Sequence, residues 1–112
     1  MNSLQATDQA AAFVATAPRV SLRDIEDAIA ARYDMTGEAA VGPDMPAHSS
    51  LGVLSLCLLV TQNGFTVVGK SAPASPENFD AELGRKLAYE DAVRQLWPLM
   101  GYALRDRLNS DG

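Results

Sequence analysis

A chain of 112 residues with 47% hydrophobic content is long enough for one domain with a modest core and too short for two ordinary ones. Its formal charge of −5 and pI near 4.6 oppose a protein that grips phosphate backbones through a broad basic face. One Cys and one His exclude an internal disulfide and cannot supply the full N/S ligand set of a structural zinc site, so neither metal nor cofactor is expected.

Residues 1–17 are Ala-rich, with Leu4, Phe13 and Val14 as their only sizeable apolar side chains, and residues 1–20 read as a marginal helix or N-terminal arm. Ser21 and Asp24 have the spacing of a capping box, and Ile25, Ala28, Ile29 and Tyr33 follow at helical spacing, which predicts a helix over 22–33. Residues 34–50 carry Gly and Pro without periodicity and read as a mobile loop. The longest apolar run, Leu51 to Val60, is about half the ~20 residues that a membrane-spanning helix needs. The N-terminus lacks the basic flank and apolar block of a secretory signal, and a reducing cytoplasm suits the lone thiol, so a cytoplasmic location without membrane contact is expected.

Asn63-Gly64 between two β-prone runs predicts a two-residue type I′ hairpin. That turn sets Val60 opposite Val67 and Cys57 opposite Lys70, and it gathers Leu54, Leu56, Leu58, Val60, Phe65 and Val67 on one face to be covered. Ser75-Pro76-Glu77 reads as the start of a long helix over 76–96, with Glu82–Lys86 and Glu90–Arg94 as stabilising pairs. Pro98 should bend the chain into a short final helix, 98–108, with Leu99, Met100, Ala103, Leu104 and Leu108 along one half. The fold expected is therefore α+β: a two-stranded antiparallel hairpin packed against a long helix, with a short C-terminal helix and an N-terminal helix. Residues 21–112 make the single domain and 53–108 its core. The small residues Ala81, Gly84, Ala88 and Ala92 form a second stripe on the long helix, suited to close approach by residues 22–33 or by a second copy in a homodimer.

Gly64 to Ser71 match G-x-x-x-x-G-K-[ST] letter for letter. The four intervening residues, Phe-Thr-Val-Val, favour an extended strand, and Ala-Pro-Ala-Ser-Pro follows where a phosphate-binding helix would have to begin. A strand is the better reading, and nucleotide-binding enzymology the poorer one. His48 beside Ser49 and Ser50 lies on a Pro/Gly-rich segment without the held geometry of a nucleophile and its base. Cys57, set near Lys70 by the expected register, reads as a packed thiol before a reactive one. Lys70, Arg85, Lys86 and Arg94 are the candidates for a local basic patch that binds nucleic acid or an acidic partner.

The run C-x-L-x-x-x-N-G-F-x-V-x-G-x-S-A from Cys57 to Ala72, N-F-D at Asn78 to Asp80, Gly84, Ala88, Ala92, and W-P-L-x-G-Y from Trp97 to Tyr102 resemble a family of tailed-phage and prophage proteins. That family is named for gene product forty-nine of one podovirus and gene sixty-six of another. The resemblance spans about residues 53–108 and implies a phage or prophage origin and an intracellular life in an infected bacterium; it brings no catalytic residue with it. Pro73 stands here where many members carry a Cys, which speaks against paired cysteines as a working device. Together these readings point to a non-enzymatic accessory protein that binds a host or phage macromolecule as an inhibitor or modulator, counter-defence included. A small nucleic-acid-binding protein is the alternative.

Overall fold

A computed structural model describes residues 2–111 of the chain. Two capping boxes start its first two helices. Asn2 accepts the Gln5 N–H at 2.8 Å while the Gln5 side chain accepts the Asn2 N–H, opening α1 (Ser3–Val14). Ser21 and Asp24 form the reciprocal pair their spacing predicts and open α2 (Leu22–Ala28). Only Leu4 of α1 is buried, and polar bonds hold the rest in place: the Asp8 carboxylate accepts from the Arg19 guanidinium at 2.8 Å and from the Leu22 N–H at 3.0 Å. Arg19 foremost, then the Leu22 N–H, holds the Asp8 carboxyl below the usual carboxylate value.

The helix expected over 22–33 ends early. From Ile29 the chain is extended as β1 (Ile29–Thr36), because pairing with an apolar neighbour strand outweighs the local helical period. Thr36 then accepts the Ala39 N–H at 3.1 Å and caps a short helix, α3 (Gly37–Val41). His48 Nδ1 accepts the Ser50 N–H at 3.0 Å at the head of a 3-10 turn, Ser49–Val53. The segment 34–50, expected as a mobile loop, thus carries a strand end, a helix and a capped turn.

β2 (Ser55–Thr61) and β3 (Thr66–Ser71) form the expected hairpin, and β1 adds a third antiparallel strand that the sequence reading lacks; the order is β1-β2-β3. The turn is not the predicted type I′. Within the turn only Gly64 takes positive φ, 85°, and Thr61 donates its N–H to the Phe65 carbonyl at 2.8 Å, so the loop has one residue more than the two-residue turn. Side chains select this turn: Thr61 Oγ1 and Asn63 Oδ1 accept the Phe65 N–H at 3.0 and 3.2 Å. The register therefore slips by one, with Val60 opposite Thr66, Leu59 opposite Val67 and Cys57 opposite Gly69. On β2 the slip exchanges the expected faces. Ser55, Cys57, Leu59 and Thr61 are buried with Val67 and Gly69, whereas Leu56, Leu58 and Val60 are only half-buried and Phe65 is exposed.

Ser75-Pro76 opens only a 3-10 turn, Pro76–Asn78. Asp80 accepts the Leu83 N–H at 2.9 Å and caps α4 (Ala81–Asp111), which continues through Pro98. The two helices expected at 76–96 and 98–108 are one. Pro98 lies on the exposed side, so the ladder bond it removes is lost towards solvent, while buried Leu96 and the bond from Trp97 Nε1 to the Val20 carbonyl, 3.0 Å, fix the flanking turn.

The small-residue stripe has the chain's own sheet as its partner. Ala88 and Ala92 have no exposed surface, and a Cβ at Gly84 would run into the Ser55 hydroxyl of β2, so the close approach predicted at Gly84 is made by a strand. Ala81, at the helix start, is exposed. The core gathers between this helix face, the covered face of the sheet and Leu22 and Ile25 of α2. Glu82–Lys86 and Glu90–Arg94 are absent from the ion pairs of the described residues: Glu90 turns inward to 4% exposure and Arg94 donates to Ser3 Oγ at 2.9 Å. No helix of the described residues is long and apolar enough to cross a membrane.

Candidate functional site

The phosphate-loop lookalike is a β-strand whose outer edge α4 occupies. Asp91 accepts the Lys70 N–H at 2.9 Å, and Gln95, one turn along, donates to the Val68 carbonyl at 2.7 Å. A carboxylate thus sits on the amide that a phosphate would need, and the covered edge is closed to another strand.

Cys57 is fully buried and faces Gly69, not Lys70. Burial foremost, then the nearby Asp34 carboxylate, pushes its thiol up to about 11. A thiol held neutral stabilises the fold fully below its ordinary value of 9.0, and that contribution fades as pH rises towards 11. Accordingly, iodoacetamide at mildly alkaline pH should leave the folded protein unmodified and should alkylate Cys57 once denaturant is added; rapid modification of the folded chain would contradict this packing.

The four basic candidates do not form one patch. Lys70 shares the sheet face of Leu56, its cross-strand partner, which is turned away from α4, whereas Arg85, Lys86 and Arg94 project from α4 itself. Around that helix Arg85 and Arg94 lie on nearly opposite sides, with Lys86 between them. Among the described residues no His, Cys, Asp or Glu cluster has the arrangement to hold a metal ion.

What the fold does build is a groove. α4 has 31 residues and is about 46 Å long, far longer than the sheet it covers, so its C-terminal half projects and draws the molecule out to 55 × 29 × 18 Å. Beside that half lies an open cavity of about 580 Å³. Its helical wall is one stripe, Leu96, Leu99, Met100, Ala103, Leu104 and Arg107; the opposite wall is Arg19, Val20, Asp24 and Ala28, and the hairpin turn with Phe65 closes one end. Phe65 and Leu99 are 52% and 45% exposed, so apolar surface lines the groove without covering it. The rim is charged: Arg19 is bound by Asp8, whereas Arg107 has no ion-pair partner among the described residues. A second cleft, about 100 Å³ beside Ser55, Phe79 and Gly84, is too small for more than a few waters. The amphipathic half of 98–108 was readable in the sequence; the facing wall was not, since Arg19 and Phe65 come from segments far apart in the chain.

No curated protein and no solved structure matches the chain. A family model does, over residues 20–108, a span that takes in α2, the whole sheet and all but the last turn of α4. The chain therefore belongs to the Phage protein (N4 Gp49/phage Sf6 gene 66) family.

Proposed function

We propose that the protein is a non-enzymatic phage or prophage accessory protein, working in the cytoplasm of the infected bacterium by binding a host or phage protein in the groove beside α4. The observation that carries this reading is the apolar stripe of a helix that outruns its own sheet: Leu99 and Ala103 are exposed and Met100 and Leu104 half-buried, beside exposed Phe65. A helix half that projects past the core needs an apolar stripe only if something packs on it. The groove suits an amphipathic helix whose apolar side lies along that stripe and whose acidic residue meets Arg107. Bound there, the protein would act as an inhibitor or modulator, with counter-defence as one setting.

The test compares tagged wild type with a Leu99→Asp/Leu104→Asp variant in infected cells. Leu99 is largely exposed and Leu104 only half-buried, so melting temperature should stay within a few degrees. A nuclease-resistant protein partner retained by wild type and lost by the variant is the expected result. Identical capture by both, or capture abolished by nuclease, would sink the reading.

A further inference from the structure

We propose that two copies of this chain pair through the free edge of β1, antiparallel about a two-fold axis at Tyr33, to form one six-stranded sheet. This surface is separate from the groove and does not depend on its role.

The two outer strands are treated differently. The edge of β3 is closed by Asp91 and Gln95. β1 has no such cover, and Arg32, Tyr33 and Asp34 are all exposed. Gly37 donates its N–H to the Leu54 carbonyl at 2.9 Å, which sets the phase of the ladder: Ala31, Tyr33 and Met35 bond towards β2, so Arg32 and Asp34 turn their N–H and C=O groups outward. No hydrogen bond from another element reaches these groups among the described residues. An open strand edge is a template for another strand.

Charge selects the occupant. Arg32 and Asp34 lie on the same face, with Nε and Oδ2 3.0 Å apart and the guanidinium carbon 4.1 Å from the Tyr89 ring centre. With the axis at Tyr33, Arg32 stands opposite the partner's Asp34 and Asp34 opposite the partner's Arg32, and both pairs exchange backbone hydrogen bonds. Moving the axis to Arg32 or to Asp34 sets like charges face to face. A second copy thus satisfies the edge in one register, and unlike charges alternate across the joint.

The test uses the full chain. Wild type should sediment as a dimer in concentrated solution and dissociate on dilution. Arg32→Asp and Asp34→Arg should each weaken association by about tenfold or more, since each replaces two attractions by two repulsions. The double exchange should restore it, with circular dichroism melts confirming the fold of all three. Tyr33→Cys supplies a geometric readout: two-fold-related residues at a non-hydrogen-bonded site are about 4.5 Å apart at Cα, within disulfide reach. Mild oxidation should link Tyr33→Cys into a covalent dimer and leave Ala31→Cys, whose counterpart is the partner's Met35, unlinked. A strict monomer at every concentration, equal cross-linking at both positions, or a double exchange no better than the single ones would overturn the proposal, as would a strand of a different protein taking the edge.

Discussion

Gly69→Ala should lower the melting temperature by about 10 °C or more, or leave the chain unable to refold. A Cβ at Gly69 would collide with the Ala88 carbonyl oxygen and stand 2.6 Å from the Ala92 amide nitrogen, both of them backbone atoms of α4. Backbone cannot rotate aside as a side-chain tip can, so the helix would have to lift off the sheet and expose Leu59, Val93 and Leu96. Trimming the neighbour in a Gly69→Ala/Ala92→Gly variant should therefore give little rescue. Gly101→Ala is the control on the same helix: nothing lies within 4 Å of its Cβ position, and relief of the glycine penalty should add about 1 kcal/mol. Thermal unfolding of the three variants beside wild type measures the effect, and a well-folded Gly69→Ala protein would contradict the close seating of α4 on β3.

The second large effect separates two neighbours. Leu59→Ala should cost about 2–5 kcal/mol, because Leu59 has no exposed surface and lies between Val67 and α4. Leu58→Ala should cost about 1 kcal/mol, because Leu58 is half-buried on the sheet face turned away from the helix. Urea unfolding with unchanged slope gives both values. The type I′ register would reverse this order, so equal or inverted losses would return the hairpin to a two-residue turn.

That hairpin shows where local chemistry suffices and where it does not. Asn63-Gly64 announces a chain reversal, because a Gly at positive φ is readable from residue type. Whether the loop has two or three residues depends on Thr61 Oγ1 and Asn63 Oδ1 both reaching the Phe65 N–H, and one residue more inverts every face assignment on β2. β1 was hidden for a related reason. Ile25, Ala28, Ile29 and Tyr33 keep a helical period, yet Ile29 and Tyr33 belong to a strand whose ladder partners, Thr61 and Leu58, come from the other half of the chain. Pro98 misled in the opposite sense: its chemistry does disfavour a helix interior, but the Trp97 bond to Val20 holds the turn from outside the helix.

Residue chemistry by itself determined the α+β class, the capped start of α2, the hairpin, the presence of a long helix and the family, since each rests on contacts within a few residues or on motifs carried in order along the chain. Only the tertiary structure decided the third strand, the register, the continuity of α4, and the placing of the Gly84-Ala88-Ala92 stripe against the sheet. Those outcomes turn on which distant segment supplies a missing hydrogen-bond partner or fills the space beside a glycine. Such energies belong to pairs of segments and leave no mark in either one alone.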